Sequence, residues 1–310
     1  MTTMELKEKI LRLKKEKEAI ILAHYYVDKE IQEVADYIGD SFYLSKIAKE
    51  CKENTIVFCG VNFMAESAKI LSPEKKILIP VNNAFCPMAQ MVSEDDVLYM
   101  KEKYPDAKVV CYVNSTAEVK AVSDVCCTSS NAINIVNNLD SNRIIFVPDR
   151  NLGSYVSEQV KDKEVILWDG FCCVHDDVDK DILDKLIVSN SKNKEDIAIL
   201  VHPECKKVIR DKATFIGSTA QIIEFASKSH YDKYIIVTEI GIKHKLTEKC
   251  PDKEFIFMPF MHCFTMKKIT LENLYECLDK DNYQVELDEE VIKNAYRSLE
   301  DMHKFGEKVK

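Results

Sequence analysis

No apolar block opens this chain, and no apolar run within it approaches the roughly 20 residues that span a bilayer. The first twenty residues, "MTTMELKEKILRLKKEKEAI", alternate Lys and Glu where a signal peptide would be apolar. The expectation is a cytoplasmic protein with no membrane partner. Basic residues are also not in excess: 43 Lys and Arg stand against 52 Asp and Glu, a formal charge of -9. A broad nucleic-acid surface needs clustered Lys and Arg, so none is expected. With only 7 Gly and 8 Pro the chain carries no disordered composition. It has no CxxC pair and no zinc-type Cys/His spacing, which removes zinc ribbons and thioredoxin-like motifs.

What is abundant is cysteine, twelve in 310 residues. In a reducing compartment these are metal ligands, catalytic thiols or small buried apolar residues rather than disulfides. Cys59 in "TIVFCG", Cys111 in "KVVCYV" and Cys277 in "LENLYECL" fall on apolar strand or helix faces and read as core.

Nine short apolar runs alternate with helix-like segments: "AIILAHYY", "TIVFCG", "KKILIPV", "AKVVCYV", "RIIFVPD", "EVILWDG", "DIAILVH", "KYIIVTE" and "EFIFMPF". Continuous apolar runs of this length are what strands of a parallel α/β sheet require, being buried on both faces. The nine divide by three, and landmarks recur. His24, Tyr112 and His202 end the first strand of each third, 88 and 90 residues apart; Ser41, Ser129 and Ser218 lie in hydroxyl-bearing turns, 88 and 89 apart; Cys86, Cys172 and Cys263 follow the third strand, 86 and 91 apart. The reading is α/β, three similar parallel-sheet, three-layer units about a pseudo-threefold axis with the active site at their centre. Residues 1–84, 85–171 and 172–263 form the units, and the amphipathic helices of 264–310 pack back on the first. Ligands of open parallel sheets bind beyond the carboxyl ends of the strands, where all three landmark classes sit.

Three thiols converging from three units could hold zinc, serve a catalytic dyad or bind an iron-sulfur cluster. A single Ser at a helix start is an ordinary cap, but its threefold recurrence, with Thr219 beside Ser218, points to anion binding at helix N-termini. His24, His202, Glu204 and Tyr26 are suited to proton transfer, although a lone strand-end His is often structural.

The stretches "AHYY" (23–26), "VADYIGDSFYLS" (34–45), "FCGVNFMAESAKILSPEK" (58–75), "YVNSTAEVKAVSDVCCTSSNA" (112–132), "PDRNLGSYV" (148–156), "WDGFCCVH" (168–175), "HPEC" (202–205), "GSTAQII" (217–223) and "CFTMKKITLENL" (263–274) follow one family's order over residues 20 to 280. The chain resembles the quinolinate synthase family of bacteria and archaea, iron-sulfur enzymes of NAD biosynthesis.

The resemblance implies one 4Fe-4S cluster per chain, held by Cys86, Cys172 and Cys263 with one iron open. Cys173 becomes a packed neighbour, while His175 faces the site and Met266 lies near the ligands. It also implies condensation of iminoaspartate, supplied by L-aspartate oxidase or aspartate dehydrogenase, with dihydroxyacetone phosphate. Tyr26 and Glu204 would take part in proton transfers, with His24 and His202 beside them. The implied substrate contacts are His24, Ser41, Tyr112, Asn114, Ser129, His175, His202, Glu204, Ser218 and Thr219. Phe85, Phe264 and Asn62 depart from the family's usual residues and leave a paralogous iron-sulfur enzyme with another substrate as the alternative.

Overall fold

The structure, a computed structural model, describes residues 2–190 and 197–306. Twelve strands form three separate four-stranded sheets. The first holds β1 (Ala19–His24), β2 (Tyr37–Gly39), β3 (Thr55–Cys59) and β4 (Lys76–Leu78). The second holds β5 (Lys108–Tyr112), β6 (Val125–Cys127), β7 (Arg143–Val147) and β8 (Glu164–Leu167). The third holds β9 (Ala198–Val201), β10 (Phe215–Ile216), β11 (Lys233–Val237) and β12 (Glu254–Phe257). Their orders are β2-β1-β3-β4, β6-β5-β7-β8 and β10-β9-β11-β12, with every pairing parallel. The chain is therefore three similar parallel α/β units.

All nine apolar runs are strands. The central ones are fully buried, as in Ile20-Ile21-Leu22 and Ile235-Ile236, because helices cover both faces. The three strands absent from the sequence reading, β2, β6 and β10, are two or three residues long. Each runs straight into one of the hydroxyl turns.

The similarity extends to individual bonds. The residue before each short strand clamps the strand beside it: Asp36 Oδ2 accepts from Ile21 N at 2.8 Å, Asp124 Oδ2 from Val109 N at 2.9 Å, and Thr214 Oγ1 from Ile199 N at 3.0 Å. Three lysines close helix C-termini in the same way. Lys75 Nζ donates to Ala48 O and Cys51 O, Lys163 Nζ to Leu139 O and Ser141 O, and Lys253 Nζ to Ala226 O and Ser229 O. Both sets recur at intervals of 88 and 90 residues. A cation there satisfies carbonyls that the helix leaves unpaired and complements its negative end.

The helix Leu271–Lys280 packs on the first helix, Thr3–Glu16. The last helix, Glu289–Gly306, reaches further than expected. It lies on Asn62–Leu71 of the first unit and also on Ala117–Ala121, β6 and Ala132–Asn138 of the second. Ser298 marks the second contact, donating to Lys120 O at 2.9 Å while Cys126 Sγ donates to its Oγ at 3.4 Å. No helix among the described residues is long and apolar enough to cross a membrane.

The first and third units meet at Gly241. A Cβ there would lie 2.6 Å from Tyr25 O and 2.7 Å from Tyr26 Cα, both backbone atoms that cannot swing away. Gln32 Nε2 spans the same seam, donating to Tyr25 O, Val27 O and Gly241 O. Gly241→Ala is expected to cost about 1–3 kcal/mol by forced separation of the two chains. A urea midpoint equal to that of the unsubstituted protein would show that the seam yields.

Candidate active site

The carboxyl ends of the three sheets face one cavity. The first unit contributes His24, Tyr26 and Ser41, and Cys86 follows β4; the second contributes Tyr112, Asn114 and Ser129; Cys172 and His175 follow β8, and His202, Glu204, Thr219 and Cys263 belong to the third sheet's loops. Met266 lines it as well. Ser218 does not. Its Oγ caps the helix Thr219–Lys228 by accepting from Gln221 N at 3.4 Å, while its own N–H donates to Gln221 Oε1 at 2.8 Å. Of the adjacent pair, Thr219 reaches the cavity and Ser218 is a capping box.

The other hydroxyls are not caps. Asp40 caps the helix that Ser41 begins, and Asn131 occupies the cap position after Ser129. Asn114 Oδ1 is buried without a protein partner on the cavity wall. A buried acceptor left so costs free energy unless something occupies the space beside it.

Two histidines are fixed as hydrogen-bond donors. Tyr26 N donates to His24 Nδ1 at 3.2 Å, and Glu204 N to His202 Nδ1 at 3.3 Å. With Nδ1 accepting, the remaining hydrogen is on Nε2 in each neutral ring. Burial lowers both pKa values to about 3, against the opposing pull of Glu204. They are neutral Nε2–H donors at physiological pH.

Glu204 is almost wholly buried. Burial works to raise its pKa, but His202, His175 and the Tyr112 hydroxyl outweigh it and hold the carboxyl below its ordinary range. Tyr112 Oη donates to Oε1 at 2.7 Å, and His175 Nδ1 lies 2.7 Å from Oε2. The chain of contacts continues. His175 Nε2 is 3.0 Å from Thr238 Oγ1, which is 3.2 Å from Tyr26 Oη; Tyr26 Oη is also 2.9 Å from Thr219 Oγ1. Burial and the Glu204 charge keep both tyrosines protonated, well above the usual phenol range. A continuous hydrogen-bonded path thus joins Tyr26 to Glu204 through Thr238 and His175.

The three thiols sit on similar turns. Backbone N–H groups of Ala89 and Met88 approach Cys86 sulfur, that of His175 approaches Cys172, and those of Met266 and Thr265 approach Cys263. In the first two the N–H three residues on closes the turn onto the cysteine's own carbonyl, Ala89 N donating to Cys86 O at 3.1 Å and His175 N to Cys172 O at 3.2 Å. Burial still raises all three thiols, Cys86 to about 12. A thiolate there lacks a counter-charge, and a metal centre is what reverses that balance. Three sulfurs on one cavity fit a thiolate-ligated metal group. Cys173 instead lines a separate surface groove with Phe260 and Phe264.

Buried carboxylates anchor two of the thiol loops. Asp149 Oδ2 accepts from Cys172 N at 3.1 Å, and Glu239 Oε1 from Cys263 N at 3.2 Å. Lys267 ties Glu239, at 3.4 Å, to Tyr26 O, at 2.9 Å. These acids escaped the sequence reading, yet each lies two residues beyond its strand and they are 90 residues apart. Asp40 and Thr128, also on the cavity wall, are 88 apart. The repeat was the signal that could have found them.

A model of the family described as Quinolinate synthetase A protein matches residues 8–304. Quinolinate synthase of Clostridium novyi (strain NT) is 57% identical over 300 residues, covering 97% of this chain and 99% of its own. That of Clostridium perfringens (strain SM101 / Type A) is 56% identical over 305 residues, covering 98% and 100%. That of Clostridioides difficile (strain 630) is 52% identical over 305 residues, covering 98% and 99%.

The histidine geometry has a measurable consequence. An unfolded His protonates near pH 6.5, whereas His24 and His202 stay neutral in the fold to about pH 3. The unfolded chain therefore binds more protons in that window, and stability present above pH 6.5 is lost as pH falls. Proton NMR of the ring Hε1 signals should show two histidines that do not titrate between pH 7 and 5. Urea midpoints should fall more over that range than in His24→Gln. A titration of both rings near pH 6.5 would refute the assignment.

Proposed function

Since the chain belongs to the quinolinate synthase family, we propose that it condenses iminoaspartate with dihydroxyacetone phosphate to give quinolinate, phosphate and two waters in NAD biosynthesis. The observation that carries this reading is the joining of three thiols, an anionic carboxylate and neutral donors on one buried cavity. Cys86, Cys172 and Cys263 would hold a 4Fe-4S cluster. When bound, that group supplies an open iron as a Lewis acid for loss of hydroxyl.

The residues meet the remaining demands. No Lys or Arg is among the residues lining the cavity, so neutral groups must bind the substrates' anionic parts. Nε2–H of His24 and His202 and the hydroxyls of Ser41, Ser129 and Thr219 are the donors. Asn114 presents an amide, and its unpartnered Oδ1 suits an N–H or O–H of the bound molecule.

Enolisation of the triose needs a base within reach of a C–H, and Glu204 is the wall carboxyl held below its ordinary range, whereas burial raises Asp40 and Glu239. Tyr26, kept protonated, is the matching acid. The path through Thr238 and His175 lets a proton taken at Glu204 be returned at Tyr26 without crossing open solvent. His175 and Tyr112 hold the carboxylate still, which positions the base before substrate arrives.

The direct test is anaerobic incubation of reconstituted protein with dihydroxyacetone phosphate and freshly generated iminoaspartate, with quinolinate read by chromatography. Product is expected. None from protein carrying four irons would transfer the chain to a paralogous reaction. Cys172→Ala is expected to lose the iron while Cys173→Ala keeps it, and iron retention by the former would remove the ligand assignment. Glu204→Gln should retain iron but lower kcat by about 10²–10⁴-fold, the usual range for a lost general base.

A further inference from the structure

Cys172, His175 and Glu204 differ from the other cavity groups in how closely their donor atoms approach. His175 Nδ1 lies 2.7 Å from Glu204 Oε2 and 3.3 Å from Cys172 Sγ, and one ligand atom from each of the three falls within 4.8 Å of the others. All three atoms can offer a lone pair. Two such atoms at 2.7 Å require a proton, or a cation, between them.

We infer that the cluster-free protein carries a second, mononuclear site at which Cys172, His175 and Glu204 bind one divalent transition-metal ion of the zinc type. Four features support it. The donors are one sulfur, one nitrogen and one oxygen, the ligand types zinc takes in three-ligand open sites. Thiolate, carboxylate, neutral imidazole and a divalent ion sum to zero charge, as a buried site requires. The outer ring nitrogen is already engaged, since His175 Nε2 lies 3.0 Å from Thr238 Oγ1. That is the arrangement by which a ligating His has its tautomer and ring plane fixed. Tyr112 Oη, donating to Glu204 Oε1 at 2.7 Å, likewise leaves Oε2 as the free ligand atom.

Metal–ligand bonds of about 2.0–2.3 Å in a tetrahedron imply ligand separations of roughly 3.3–3.8 Å. The Nδ1–Oε2 contact must therefore open by about half an ångström or more, which a carboxylate rotation supplies. The fourth position faces the cavity and takes water. Because the same sulfur is used, such an ion and the cluster of the proposed function exclude one another, and His175 and Glu204 leave the proton path while it is bound.

The test uses Co2+ as the probe on the full-length chain, freed of iron and handled anaerobically. Titration should give one Co2+ per chain, with tetrahedral d–d bands and a sulfur-to-cobalt charge-transfer band from a single thiolate. Cys172→Ser should abolish the charge-transfer band. His175→Asn and Glu204→Gln should weaken binding by at least about tenfold, the smallest loss found even for groups one step from a metal. Thr238→Ala should weaken it by about tenfold. Cys86→Ser and Cys263→Ser should leave both band and affinity unchanged. Loss of binding in either of those two would assign the ion to a three-thiol site and overturn the inference, as would Co2+ binding without a sulfur band or no binding at all. Near-UV circular dichroism of each variant separates a lost ligand from a lost fold. Should His175→Asn not fold, the three cysteine variants decide the outcome alone.

Discussion

The charge on Glu204 adds to burial in holding protons on the acidic groups of the cavity. A buried carboxylate persists as an anion only when hydrogen bonds and nearby charges replace water, and here Tyr112 and His175 do so. Its field then acts, after burial itself, on Tyr26, Tyr112, Asp149, Cys86 and Cys172, raising every one of them. The phenols and thiols of the cavity thus keep their protons until a cation arrives, while His24 and His202 stay neutral. Such a site would suit the metal group proposed for the thiols, and it keeps two phenols protonated beside one carboxylate. One negative charge, placed by the "HPEC" turn, contributes to both conditions.

The placement of that charge depends on the threefold repetition of the unit. Each unit delivers a strand-end residue, a hydroxyl turn and a thiol loop to the same edge, so three units supply three of each to one point. The repetition is not only of landmarks. Asp36, Asp124 and Thr214 clamp equivalent strands, and Lys75, Lys163 and Lys253 close equivalent helices. Chemistry diverges where those scaffolding bonds end. Two residues beyond β3, β7 and β11 stand Val61, Asp149 and Glu239, so a carboxylate at this position anchors the thiol loop that follows the second and third sheets and not the first.

The parts legible in the sequence are those with a periodic physical cause. Strands buried on both faces must be apolar throughout, so nine of them stood out; β2, β6 and β10 are too short to show any pattern. Thiols and histidines are chemically distinctive enough to be noticed at a repeat, and those at the repeat do line one cavity. Thr238 is chemically ordinary and acquires a role only through its neighbours His175 and Tyr26, which no spacing reveals. Ser218 and Thr219 are indistinguishable in sequence, and helix geometry alone assigns one as cap and the other as wall. The amphipathic pattern of Glu289–Gly306 announces a buried face without saying that it bridges two units.

The departures from the family pattern bear on substrate choice through their positions. Phe85 and Phe264 are 49% and 58% exposed and lie outside the cavity wall, so neither narrows it. Asn62 also stays off the wall, its Nδ2 donating to Asn82 O at 3.2 Å. Selection must therefore come from the wall itself, and the wall has an anion and neutral donors but no Lys or Arg. A pocket of that kind grips phosphate and carboxylate groups by directed hydrogen bonds rather than by net charge. Directed bonds discriminate by geometry, and they lose their hold when the geometry changes. For the condensation proposed, which would turn flexible anions into a planar diacid and free phosphate, a wall that orders the reactants in this way would be a poor trap for the products.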